Sequence, residues 1–128
     1  MKKSGVMLVT GGAGFIGSHL VEELVKRGQR IRVVDNFITG KRENIDLFRK
    51  SIEFVEGDLC DPGVATQDCR DVDTVFHVAA LPCAPISMER PLDTLQNGVV
   101  ATVNLLIGAK DRHVRRFVYS SSIVGLRR

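Results

Sequence analysis

Short apolar runs alternating with amphipathic stretches predict an α/β fold, a doubly wound parallel sheet of about five strands. Three observations carry this prediction. Val6-Met7-Leu8-Val9-Thr10 opens directly into the glycine cluster Gly11-Gly12-Ala13-Gly14-Phe15-Ile16-Gly17. An amphipathic stretch then reaches Gly28 and a second apolar run, Ile31-Arg32-Val33-Val34-Asp35, that ends in an acid. Three more strand-like runs follow, beginning at Ile52, Val72 and Arg116. At 128 residues, one domain is expected, burying roughly two-thirds of its unfolded surface.

Strand, glycine loop, helix and acid in this order form the signature of a Rossmann-like dinucleotide-binding βαβ unit. Gly11 and Gly12 suit a tight strand-to-helix turn, Gly14 a close approach of main chain to a pyrophosphate, and Gly17 a close packing of helix on strand. The helix that follows would aim its amides and positive dipole end at the phosphates. Asp35 lies 18 residues past Gly17, close to the roughly 20 expected of an acid that binds ribose hydroxyls. That carboxylate would repel a 2′-phosphate and so favours NAD over NADP. Lys41 and Arg42 pull the other way, but they read as the start of the next helix.

Within the first helix Ile16, Leu20, Val21, Leu24 and Val25 recur at helical spacing, opposite Glu22, Glu23, Lys26 and Arg27. Gly28 is placed to end it. Ile52 to Glu56 reads as the third strand, followed by Gly57-Asp58-Leu59. Asp58 has two readings, a turn residue after glycine or an adenine contact at the carboxyl edge of the sheet. Val72 to Val78 gives the fourth strand and runs into Ala79-Ala80, small enough for a cofactor to pass over the backbone. His77 reads as a packed strand residue without chemistry. Leu81 to Arg90, rich in proline, reads as an irregular loop suited to touching substrate, with Cys83 a plain loop thiol. A long helix is expected from Pro91 to about Arg112. Leu92, Leu95, Val99, Val103 and Leu106 lie on one side of it, widened by Val100 and Ile107, so it has apolar surface for the sheet and for a second subunit. Arg116 to Ser122 reads as the fifth strand.

Composition narrows the function classes. The net charge of +3 comes from scattered short clusters without interleaved aromatics, which argues against nucleic-acid binding. No run is long enough to span a membrane, and the apolar run after Met1-Lys2-Lys3 is too short for a signal peptide; a cytoplasmic location is expected. Cys60, Cys69 and Cys83 make an odd set with no Cys-x-x-Cys pair, and His19, His77 and His113 are far apart. Neither a disulfide framework nor a metal site is expected.

Thr10 to Leu20, Val34 to Asn44, Gly57 to Asp61, His77 to Pro91, Thr102 to Leu106 and Phe117 to Ser122 together resemble the extended short-chain dehydrogenase/reductase family. Within it the resemblance is to the cofactor-binding half of the NAD-dependent nucleotide-sugar epimerases and dehydratases, most of all the UDP-sugar 4-epimerases. The resemblance implies that the glycine loop with Phe15 and Ile16 holds the pyrophosphate. By the same resemblance Asp35 and Asn36 hold the adenosine ribose, Asp58 and Leu59 the adenine, and Ala79 and Ala80 the nicotinamide side. Ser122 resembles the family's catalytic serine or threonine, which bonds the sugar hydroxyl being oxidised.

The family's reaction is transient hydride transfer from sugar C4 to NAD, and it needs a tyrosine base with a lysine four residues on. Tyr119 is the only tyrosine and Ile123 stands four residues later, so that pair is absent. An ungapped match also places Gly98 where the family has asparagine, with Asn97 one position early. The expectation is an amino-terminal, NAD-binding portion over residues 1–128, without the sugar-binding half and not catalytic alone, from a truncated or frameshifted product or a fragment. A stand-alone NAD-binding regulatory module and a non-functional truncated product are the alternatives.

Overall fold

The computed structural model describes residues 5–80 and 84–121. Its strands are β1 (Val6–Thr10), β2 (Ile31–Asp35), β3 (Glu53–Glu56), β4 (Val72–His77) and β5 (Arg116–Tyr119). They form one sheet in the order β3-β2-β1-β4-β5, and every neighbouring pair is parallel. The doubly wound α/β fold is therefore the one expected. The strand order reverses between β1 and β4, which opens a crevice beyond their carboxyl ends.

Side chains alternate across the sheet and feed two cores. Val6 and Leu8 of β1 join Val34, Val75, Ala65, Leu105 and Ala109 on one face. Val9 joins Val21, Leu24, Ile31 and Val33 on the other. The first face is covered by helices α3 (Pro62–Asp68) and α6 (Ala101–Asp111), the second by α1 (Phe15–Lys26), and the short α2 (Glu43–Asp46) follows β2. Helix α1 stops as its sequence predicts. Gly28 takes a left-handed φ of 69°, its amide donates to the Val25 carbonyl and the Gln29 amide to the Leu24 carbonyl, the paired bonds of a Schellman cap.

Helix α3 has its start written in Asp61-Pro62-Gly63. Asp61 accepts from the Gly63 amide at 2.8 Å, and Pro62 needs no acceptor in a first turn. At its far end the buried Arg32 of β2 donates to the carbonyls of Asp68 at 2.6 Å and Arg70 at 2.8 Å, and to Glu53 at 3.0 Å. One guanidinium thus ties β2, β3 and α3 together. The Asp68 carboxylate is also buried, and its Oδ2 has no hydrogen-bond partner among the described residues.

Two expectations need correction. Ala84–Glu89, placed in an irregular loop by its prolines, is helix α4; Pro85 falls in the first turn, where a missing N–H costs nothing. Residues 81–83, Cys83 among them, lie outside the described residues. The long helix from Pro91 to Asp111 is interrupted, since α5 (Pro91–Leu95) passes into α6 through a π turn at Gln96–Val100. Its buried face is made of Ala101, Leu105, Gly108 and Ala109. Leu92, Leu95, Val99, Val103 and Leu106 stay exposed. Small residues win the inner face because α3 crosses closely there: a Cβ on Gly108 would lie 2.9 Å from the Ala65 carbonyl oxygen and 3.0 Å from the Thr66 Cα.

Glycines 98 and 108 therefore respond oppositely to a methyl group. Nothing lies within 4 Å of a Cβ built at Gly98, so Gly98→Ala should stabilise by about 0.5–1 kcal/mol. Gly108→Ala should destabilise by about 1–2 kcal/mol, because backbone must move. Urea unfolding of both variants checks the pair of signs.

Candidate functional site

The crevice begins at the glycine loop. Gly11 holds a left-handed φ of 69°, the conformation that a residue with Cβ adopts at a cost. A Cβ on Gly17 would sit 2.1 Å from the Gly11 carbonyl oxygen, so only glycine lets α1 start this close to β1. Gly12 lies in the same turn without a left-handed φ, and its missing side chain makes room for Val33, 2.4 Å from a built Cβ. Gly14 caps α1 in extended conformation, with no side-chain cap and no acid in the first turn. The amides of that turn have no intrahelical acceptor and face a crevice lined by Gly14, Phe15, Ile16 and Gly17. Such an end suits an anion.

Across the loop stands Asp35, only 8% exposed at the tip of β2. Its Oδ2 accepts from the Ala13 amide at 3.0 Å and its Oδ1 from the Phe37 amide at 2.8 Å. Phe37 adopts a left-handed φ of 58° in making that bond. Asn36 fixes the next residue by accepting from the Ile38 amide, and its Nδ2 reaches Asn97 Oδ1 at 3.3 Å. Arg42, one of two cations weighed above, donates to Glu56 at 3.0 Å and lies over the Phe37 ring at 4.3 Å.

Asp58 satisfies both of its readings geometrically: Oδ1 accepts from the Cys60 amide at 2.9 Å, as in a turn, and the residue lines the crevice. Leu59 is buried in the core beneath it. Asn104 of α6 donates to the carbonyls of Leu59 and Cys60, both at 3.0 Å, and so pins this turn. Burial and the Asp58 carboxylate push the Cys60 thiol up to about 11, which leaves it protonated rather than nucleophilic.

The last wall is the tip of β4. Val78 and Ala79 both donate their amides to Thr10 Oγ1 at 3.1 Å, which is why the strand ends at His77. The hydroxyl proton of Thr10 is left for His77 Nδ1 at 2.7 Å. Nδ1 then accepts, Nε2 carries the hydrogen and donates to Thr102 Oγ1 at 2.8 Å, and Thr102 donates to the Gly98 carbonyl in the π turn. Burial, with no charge partner, pulls His77 down to about 4.

All eleven residues expected to contact a cofactor, Gly11, Gly14, Phe15, Ile16, Gly17, Asp35, Asn36, Asp58, Leu59, Ala79 and Ala80, line this one crevice. Ser122 lies outside the described residues. Among the described residues no group of three or more His, Cys, Asp or Glu could hold a metal ion, and no helix is long and apolar enough to cross a membrane.

Residues 7–126 match the model of the NAD dependent epimerase/dehydratase family. The chain belongs to that family. It is 40% identical over 118 residues to a UDP-glucose 4-epimerase of Lactobacillus helveticus, covering 91% of this chain and 35% of that protein. It is 37% identical over 126 residues to UDP-glucuronic acid decarboxylase 2 of Arabidopsis thaliana, covering 95% and 27%. The solved UDP-glucose 4-epimerase of Thermus thermophilus in complex with NAD superposes with a TM-score of 0.84 at 38% identity, over 91% of this chain and 37% of that one. This epimerase/dehydratase family member thus spans between 27% and 37% of the length of these relatives.

Sequence reading missed three contributors. Asn97 lines the crevice; the π turn takes in one residue more than an α turn and so accommodates an asparagine that an ungapped comparison puts one position early. Thr10 and Thr102 reach His77 from 67 and 25 residues away, and no local pattern announces them.

His77 and Asp68 make opposite demands on pH. His77 has a folded value of about 4 against an ordinary 6.5, so its contribution is complete above 6.5 and is lost as pH falls towards 4. Asp68, raised to about 6 by burial, has a contribution complete below 3.8 and lost as pH rises through 6. His77→Gln should therefore flatten the loss of stability between pH 6.5 and 4, and Asp68→Asn should steepen it, each by about 1–3 kcal/mol across the window. Urea unfolding at four pH values between 4 and 7.5 reads both slopes.

Proposed function

We propose that this chain binds NAD in the crevice and supplies the cofactor-binding portion of a nucleotide-sugar epimerase or dehydratase, of the UDP-sugar 4-epimerase kind. One observation carries the reading: a buried carboxylate held by two amides faces the uncapped start of α1 across a shared crevice. Each Asp35 oxygen keeps a lone pair after accepting one amide. The group can therefore take both hydroxyls of a ribose while repelling a 2′-phosphate.

Around it Gly11, Gly14, Phe15, Ile16 and Gly17 would cradle the pyrophosphate, and Asn36 would share the ribose. Asp58 and Leu59 would border the adenine, and Ala79 and Ala80 the nicotinamide side. Bound NAD supplies the hydride acceptor for transient oxidation at sugar C4. Ser122 would bond the hydroxyl being oxidised. A tyrosine base with its lysine is missing from this sequence, since Tyr119 is the only tyrosine and Ile123 stands four residues on. Turnover of a nucleotide sugar then requires groups that this chain does not hold. The exposed Leu92, Leu95, Val99, Val103 and Leu106 on one long helix support pairing with a second copy, and a cytoplasmic setting suits the cofactor.

Calorimetric titration tests this directly. The chain should bind NAD and bind NADP more weakly, and Asp35→Ala should weaken NAD about ten- to a hundredfold through lost charge-assisted bonds. Incubated alone with NAD and UDP-glucose or UDP-galactose, it should yield no epimer; no NAD binding, or unaided turnover, overturns the reading.

A further inference from the structure

We propose that Glu56 makes the crevice selective against 2′-phosphorylated dinucleotides by holding the Arg42 guanidinium away from the adenosine ribose. The proposal rests on NAD occupying the crevice as read above. Asp35 and Glu56 are register partners at the tips of β2 and β3; the buried Asp35 lines the crevice, and the exposed Glu56 stands just outside it. Arg42 belongs to a segment docked on the glycine loop: the Lys41 amide and Asn44 Nδ2 both donate to the Ala13 carbonyl, at 3.0 Å and 2.7 Å. The amide of that same Ala13 anchors Asp35. Arg42 thus hangs one residue from the acid's own support, within a side chain's reach of the ribose.

An arginine so placed is the group a 2′-phosphate needs, since its planar fork pairs with phosphate oxygens. Here it is engaged. Nη2 donates to Glu56 at 3.0 Å, and the guanidinium plane lies 4.3 Å above the Phe37 ring, whose own amide bonds Asp35. Among the described residues, those lining the crevice do not include Arg42. Glu56→Gln makes the group of Asp35, Glu56, Lys41 and Arg42 one unit more positive and removes the arginine's charged acceptor. Because the ion pair is exposed on both sides, its hold is modest and its release is easy.

Four proteins decide the matter: the 128-residue chain, Glu56→Gln, Arg42→Ala and the double variant, each titrated with NAD and with NADP. Glu56→Gln should tighten NADP about three- to tenfold and move NAD less than about twofold. In the Arg42→Ala background the same change should leave NADP where Arg42→Ala alone puts it. A gain that persists without Arg42 is a bare charge effect and overturns the proposal, as does no gain at all. If the unaltered chain binds neither dinucleotide, the NAD reading falls and takes this proposal with it. If it binds NAD and the four-protein cycle shows no coupling, the role of Glu56 alone falls.

Discussion

The bond between the Ala13 amide and the Asp35 carboxylate, 3.0 Å long and buried, is the constraint around which the crevice is arranged. It joins the glycine loop after β1 to the tip of β2, beside the bond from the Gly11 amide to the Val34 carbonyl. Charge-assisted bonds of this kind are short and directional, so the acid's position is set by main chain rather than by its own rotamer. Gly40 completes the enclosure. A Cβ there would lie 2.9 Å from Asp35 Oδ2 and 2.8 Å from the Ala13 Cβ, so the loop after β2 can close over the carboxylate only because that residue has none.

The same closeness of contact explains which parts of the fold were legible from sequence. Glycine loop, helix stop and the acid at the tip of β2 are local demands on the backbone, and each leaves a residue type at a fixed offset; Gly11, Gly17, Gly28 and Asp35 stand in the turn, the helix cap and the strand end that their spacing suggested. Helix α4 was hidden because Pro82 and Pro85 read as breakers, while a proline in a first turn breaks nothing. The π turn was hidden because the apolar spacing from Pro91 onward fits a regular helix well enough to mask one extra residue. The inner and outer faces of that helix were hidden for another reason: the close crossing of α3 at Gly108 puts Ala101, Gly108 and Ala109 beside Leu105 on the buried face, so hydrophobic size alone does not mark it.

Least legible was the buried polar chain from Thr10 through His77 and Thr102 to the Gly98 carbonyl. Its members belong to β1, β4 and the long helix, and only the folded sheet brings them together. Every donor in it has one acceptor, which lets a histidine sit in the core without charge. It also links the two ends of the crevice, since Thr10 holds the Ala79 amide at one end while the π turn presents Asn97 to Asn36 at the other. Burial is what depresses the pKa of His77, and protonating the ring would in addition break the chain at the Nδ1 acceptor.

The crevice is also notable for what it does not use. Its lining residues come from the tips of β1 to β4 and the loops after them, from the start of α1, from the π turn and from the first residue of α6, and β5 contributes none of those described. Both cores reach full burial within this portion of the chain, at Leu8 and Val75 on one face and at Val9, Val21 and Val33 on the other. β5 enters only at the periphery, where Phe117 packs against the first core. The crevice and the cores beneath it thus come from one continuous set of elements, β1 to β4 with α1, α3 and α6.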